Sequence, residues 1–277
     1  MNALNQFLIR DCVVVITGGA GLLGQKHAEA VIEGEGVPVL FDISENGLKR
    51  AKNNLMEKYP NKPVECCQAD ITDKQQVERI SEMLIEKYGH IDGLINNAAN
   101  NPKVEGNAAN MKAIQFENFP MKMWLDDLAV GLTGALVCAQ VFGSIMARQG
   151  KGVILNISSD LGVIAPDQRI YRKEGLKDEE QTVKPITYSV IKHGLIGMTK
   201  YLATYYAQKG VRANALCPGG VYNGQDNEFL AMLTNLIPMS RMANADEYKS
   251  TILYLISDAS SYMTGSTVIV DGGRTCW

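Results

Sequence analysis

The chain is poor in histidine, with three among 277 residues, at positions 27, 90 and 193. None stands at ligand-like spacing from cysteines or a second histidine, so no metal site is expected. Cysteine is sparse too: six residues, at 12, 66, 67, 138, 217 and 276, scattered apart from one adjacent pair that is ill placed to bridge itself. This excludes a disulfide framework and suits the reducing cytoplasm. Long apolar runs are missing, since none approaches the roughly 18 residues of a membrane span. The opening MNALNQFLIRDC lacks the basic start and apolar stretch of a secretion signal. Positive charge is not in excess either. The 27 basic and 30 acidic residues leave a net −3, which argues against a nucleic-acid surface. There is no internal repeat, low-complexity tract or linker-like stretch. What remains is the balance of an ordinary globular protein, 46% apolar and 21% charged, with a small molecule as its expected partner.

Short apolar runs alternate with longer helical patterns almost from end to end. CVVVITGG, VPVLFD, VECCQAD, IDGLINNAA, GVILNISS, RANALCPG and STVIVDGG read as seven strands, each closed by a turn-forming residue. Their Val/Ile/Leu content suits strands covered on both faces. Amphipathic segments such as KQQVERISEMLIEKYG lie between them. Strand and helix in alternation imply right-handed crossovers, hence an α/β fold: one doubly wound domain over 1–277, with a parallel seven-stranded sheet and helices on both faces. One stretch breaks the rhythm. Residues 165–185, APDQRIYRKEGLKDEEQTVKP, are polar, charged and bracketed by prolines. A connection of this kind is either a functional cover or a solvated insertion.

TGGAGLLG, residues 17–24, follows the first strand directly and opens a helix. Small residues there let the backbone approach a pyrophosphate, and the helix start offers free N–H groups. The next strand ends at Asp42, 18 residues beyond Gly24, close to the spacing of an acid that accepts ribose hydroxyls. An acid in that position repels a 2′-phosphate, and the neighbouring ISEN supplies no cation, so NAD is favoured over NADP. Asp42 could instead cap the helix that DISENGL begins.

TYSVIK, residues 187–192, places Tyr188 and Lys192 four apart, on one face of a helix. Tyr205 and Lys209 repeat the spacing. Context separates the two pairs. Tyr188 opens its helix and follows a strand ending NISSD, which brings hydroxyls to the carboxyl edge of the sheet, where open α/β folds bind ligands. Tyr205 falls in the apolar series 191, 195, 198, 202, 205 and reads as core.

With TGGAGLLG, Asp70 in QADITD, NNAA at 96–99, NISS at 156–159, YSVIK at 188–192, PGG at 218–220 and VDGG at 270–273, the sequence resembles the short-chain dehydrogenases/reductases over essentially its whole length. The resemblance implies a Rossmann-type sheet and hydride transfer between a nicotinamide and a carbonyl or alcohol. It implies that Ser159, rather than Ser158, positions the substrate oxygen, that Tyr188 exchanges its proton and that Lys192 holds the nicotinamide ribose. For the cofactor it implies Thr17, Gly18, Gly21, Leu23 and Gly24 at the pyrophosphate turn, Asp42 at the ribose, and Asp70 with Ile71 at the adenine. Asn97 and Ala98 would lie at the strand edge, with Pro218 and Val221 near the carboxamide. The roles are physically coherent. A free tyrosine with a pKa near 10 is about three units too high for a base at neutral pH, a deficit of roughly 4 kcal/mol. An ammonium about 4 Å away supplies energy of that order.

Three departures stand out. Glycines fall at 18, 21 and 24, Gly131 replaces the family's usual relay asparagine, and Ser159 and Tyr188 are 29 residues apart, well beyond the usual spacing. SSDLGVIAPDQRIY and the tail DGGRTCW resemble a subgroup among flagellin-modification and sugar-biosynthesis oxidoreductases. The expected substrate is therefore a sugar or similar polar metabolite. A carrier-bound ketoacyl or steroid-type reductase and a non-catalytic NAD-binding subunit are the alternatives. Arg169, Arg172, Lys173, Lys177 and Lys184 could meet a substrate phosphate, or balance the acids beside them. The family also suggests a homotetramer or dimer through helices at about 121–148 and 186–208.

Overall fold

The structure is a computed structural model that describes residues 2–100 and 113–277. Seven strands form one parallel sheet: β1 (Val13–Thr17), β2 (Val37–Asp42), β3 (Glu65–Gln68), β4 (Gly93–Asn96), β5 (Gly152–Ile157), β6 (Val211–Pro218) and β7 (Thr267–Val270). Their spatial order is β3-β2-β1-β4-β5-β6-β7. The expected strand set and the doubly wound parallel architecture are both present. Among the described residues, seven α-helices connect and cover the strands: α1 (Leu22–Glu33), α2 (Glu45–Lys58), α3 (Lys74–Tyr88), α4 (Met121–Gln149), α5 (Ile186–Tyr206), α6 (Asn227–Thr234) and α7 (Lys249–Ile256).

Alternation along the strands explains the two cores. In β1, Val13 and Val15 face one cluster, with Phe41, Leu94 and Ile154, while Val14 and Ile16 face the other, with Leu40, Ile95 and Leu155. Side chains of successive strand residues point to opposite faces, so an unbroken apolar run fills both. α4 contributes Cys138, Phe142 and Met146 to the first core. α1, α2 and α7 contribute Val31, Leu55 and Ile252 to the second. By length and composition α4 is apolar enough to cross a membrane. Its apolarity serves the sheet: Phe142 is fully buried and meets Phe41 edge-on at 5.7 Å.

Two features of the helices matter for the site. α4 contains a π-helical segment, Ala129–Gly134, of the kind that often marks a functional region. Within it, a Cβ on Gly131 would lie 2.6 Å from Ile191 of α5. Glycine lets the two helices close together where an asparagine would not fit. On α5, the expectation that Tyr205 is core is overturned. Tyr205 is 53% exposed and stacks on Tyr201, whereas Tyr206 is 6% exposed and buried against α4. The buried stripe runs through 195, 199, 202 and 206, so the apolar series fell one position short at its last turn.

Candidate functional site

Strand order reverses between β1 and β4, which opens a crevice at their carboxyl ends. The residues there are tied together by short bonds. Thr17 Oγ1 accepts from the backbone N–H groups of Asn97 and Ala98, each at 3.0 Å. The Asn97 side-chain amide donates to the carbonyls of Thr17 and Gly18, at 3.0 and 3.2 Å. Gly18 adopts φ 63°, a conformation glycine takes without strain. A Cβ there would come within 2.9 Å of Ala98, and one on Gly24 would lie 2.2 Å from the Gly18 carbonyl. α1 therefore starts hard against the turn. Gly21 stands at its N-cap without any side-chain cap, and Leu23 sits in its first turn with no acidic residue beside it. The first N–H groups of α1 are thus left for an external anion. Such a turn offers free backbone donors to an anion of the pyrophosphate kind.

Asp42 ends β2 beside that cradle. Its carboxylate accepts from the N–H groups of Ala20 at 3.1 Å and Ser44 at 3.0 Å. The helix-cap alternative does not hold, because Ser44 caps α2 through its hydroxyl, 3.0 Å from Gly47 N. Asp70 closes a turn by accepting from the N–H and hydroxyl of Thr72. The Ile71 side chain is buried and packs against Gly134 in the π segment. Pro218 ends β6, and just beyond it Val221 bridges Ala243. That bridge uses the Gly220 carbonyl and the Tyr222 N–H, so the N–H of Val221 is not consumed by it.

The second half of the site forms where β5 meets α5. Ser158 donates its hydroxyl to the Lys192 carbonyl at 2.7 Å and is used up there. Ser159 is the serine next to the Tyr188 hydroxyl. Its own hydroxyl donates to Asp160 Oδ1 at 2.7 Å. Lys192 Nζ donates to the Ile157 carbonyl at 2.9 Å and stands 5.6 Å from the Tyr188 ring centre. Burial, and then the Lys184 charge, lowers the Lys192 ammonium to about 8. The expected depression of Tyr188 is not present in the chain alone. Burial pushes the phenol up from its usual value, with the Ser159 hydroxyl working the other way. A dry pocket penalises the tyrosinate, so the protein by itself holds Tyr188 protonated.

The insertion at 165–185 has its own framework. Gln168 and Lys184 bond reciprocally through backbone and side chain, at 3.2 and 2.9 Å, and close its neck. Gln181 braces its middle through Lys173 and Leu176. Ile170 and Tyr171 anchor it to Phe229, Leu230 and Leu233 on α6. Of the cations proposed for a substrate phosphate, Arg169 is paired bidentately with Asp167 and Arg172 with Asp178. They balance local acids, as the plainer alternative held. Lys184 alone of that group turns to Tyr188, with its ammonium 3.8 Å from the ring centre.

One pair escaped the sequence reading. Asp160 and Arg274 form a buried ion pair at 2.9 Å. Gly272 and Gly273, at φ 68° and 90°, swing the tail back over the sheet edge to make it. The only trace in the sequence was that both residues lie in the two segments resembling the flagellin-modification subgroup.

A parallel sheet with an uncapped helix start at its switch point, and a buried serine and lysine with a half-buried tyrosine two strands away, defines the class of dinucleotide-dependent oxidoreductases. Residues 20–275 match the family model described as enoyl-(acyl carrier protein) reductase. The chain belongs to the short-chain dehydrogenase/reductase family. It is 28% identical over 266 residues to the post-translational flagellin modification protein A of Campylobacter coli, covering 96% of this chain and 99% of that one. It is 31% identical over 277 residues to an NAD-dependent glycerol dehydrogenase of Listeria innocua, covering 97% and 96%. The crystal structure of gox2181 superposes with a TM-score of 0.86 at 26% identity over the full length of both chains.

Proposed function

We propose that the protein is an NAD(H)-dependent oxidoreductase that interconverts a hydroxyl and a keto group on a polar, sugar-like metabolite. The observation that carries this reading is the convergence of Ser159, Tyr188 and Lys192 on the sheet edge beside the uncapped start of α1. A bound nicotinamide supplies the hydride acceptor or donor. Ser159, held by Asp160, orients the substrate oxygen, and Tyr188 gives or takes its proton. Lys192 holds the nicotinamide ribose and offsets the charge of the tyrosinate. Asp42 presents a carboxylate with no cation paired to it among the described residues, which favours ribose hydroxyls over a 2′-phosphate. The insertion covers the substrate, and its charged surroundings suit a polar ligand better than an acyl chain or a steroid.

The Gly131 departure bears on a non-catalytic alternative, but the steric account of Gly131 needs no loss of activity. The outer faces of α4 and α5, with Leu125, Leu136, Tyr201 and Tyr205 exposed, support a homo-oligomer through these helices. Six free thiols support a cytoplasmic setting. The test is a fluorescence titration with NADH and NADPH, followed by a turnover screen of polyols, aldoses and sugar acids at 340 nm. Cofactor binding without hydride transfer to any member of that panel would favour the regulatory reading.

A further inference from the structure

Two cations stand at the catalytic edge without a part in moving the hydride or the proton. Lys184 lies on the face of the Tyr188 ring, 3.8 Å from its centre, with no carboxylate paired to it among the described residues. Arg274 is 7% exposed and spends one donor, Nη1, on Asp160. No other acceptor from the described residues meets its guanidinium. Asp160 cannot balance both cations. Its Oδ1 already accepts from Ser159 and from Leu161 N, and its Oδ2 is the oxygen that holds Arg274. Apart from Lys192, which the reading above assigns to the nicotinamide ribose, one carboxylate therefore faces a buried guanidinium and a half-buried ammonium, and this pair carries one positive charge more than Asp160 offsets. Such a surplus is costly unless an anion completes it.

We propose that Lys184 and Arg274 bind a carboxylate of the substrate, so that the substrate is a sugar acid, a polyhydroxy or keto acid, and not a neutral polyol. This rests on the oxidoreductase reading above and names the substrate class of the same site. Asp160 joins the reactive hydroxyl to the anion site, since one of its oxygens fixes Ser159 and the other fixes Arg274. The acid group therefore lies close to the carbon that gains or loses hydride. A carboxylate is a monoanion and matches the one charge that Asp160 leaves uncovered on this pair. Guanidinium and ammonium donors together suit a carboxylate with two oxygens.

The test titrates the enzyme–NADH complex, followed by cofactor fluorescence, with D-gluconate and D-galactonate against D-glucitol, galactitol and D-glucitol 6-phosphate. The better acid is expected to bind about 10-fold or more tightly than its matching polyol. Lys184→Gln should reduce that ratio to below about 3-fold. The pair Asp160→Asn with Arg274→Gln, which keeps a neutral hydrogen bond and avoids a stranded carboxylate, should do the same. Equal binding of acid and polyol, tightest binding of the phosphate ester, or a ratio that survives both variants overturns the proposal. Failure of NADH itself to bind would bring down the oxidoreductase reading beneath it. Normal NADH binding with no preference for the acids brings down only the sugar-acid inference.

Discussion

The two ends of the crevice are built in different ways. At the nucleotide end, backbone does most of the work: glycines admit a close approach, α1 offers N–H groups, and Asp42 is fixed by the N–H groups of Ala20 and Ser44, with the Thr17 and Asn97 side chains pinning the turn. At the substrate end, side chains do the work across long separations. Asp160 meets Arg274 from 114 residues away and Tyr171 leans on α6, while Lys184 holds the neck of the insertion to Gln168 and lies on the nearby Tyr188 ring. An end made of backbone can serve any dinucleotide enzyme. An end made of distant side chains can be retuned without disturbing the fold.

The largest effect tests the seam between the two ends. Tyr188→Phe should lower turnover by about 10²- to 10⁴-fold, the scale of a lost general acid or base, while leaving NADH affinity nearly unchanged. Tyr205→Phe, in the exposed copy of the same spacing, should be close to neutral. A dead Tyr205 variant beside an active Tyr188 variant would mean that the wrong pair had been taken as the catalyst. At the nucleotide end, Asp42→Asn should erode the preference for NAD over NADP, by about 10- to 100-fold if the carboxylate both bonds ribose and repels phosphate. Equal dissociation constants for the two cofactors in the unaltered protein would show that Asp42 serves only its backbone partners.

The contrast also explains what the sequence made legible. The seven strands, the place of the turn at 17–24 and the place of Asp42 at the end of β2 were readable because each is a local pattern whose physics is complete within a few residues. Ser159 and Lys192 were readable through family resemblance, and the structure brings both to Tyr188. Arg274 was not, because nothing near position 274 encodes its meeting with Asp160. Arg169 and Arg172 were misleading for the opposite reason, since their acids lie two and six residues away and satisfy them locally. Tyr205 failed by one position, because an apolar series cannot distinguish the edge of a buried stripe from its centre. The depression expected for Tyr188 failed because spacing reveals an ammonium nearby but not how dry the pocket is.

Gly131 ties the back of the substrate end to α5. Gly131→Asn restores the family's usual residue, yet its Cβ would strike Ile191. Such overpacking typically costs about 1–3 kcal/mol. The variant should melt earlier than the parent, and Ile191→Ala in the same chain should recover part of the loss. An asparagine variant that melts normally would show that the helices part easily.

The smallest effect separates stability from function at Lys184. Burial lowers its ammonium from 10.5 to about 8, so the folded state holds this proton less tightly than the unfolded chain. Below about pH 8 both states carry the charge, and the folded protein bears the full desolvation cost. Between about 8 and 10.5 the folded state has released the proton while the unfolded state keeps it, so the cost shrinks as pH rises. Above 10.5 both are neutral and it is gone. Lys184→Met should therefore stabilise the cofactor-free protein by about 1–3 kcal/mol at pH 7, with the gain fading from pH 8 to 10.5. It should also rise slightly through Lys192, which no longer faces a second ammonium. Melting curves at pH 7, 9 and 10.5 check the sign. A methionine variant that melts lower at pH 7, or a gain that does not change with pH, would show that Lys184 is held comfortably as a cation by the protein itself and needs no substrate anion.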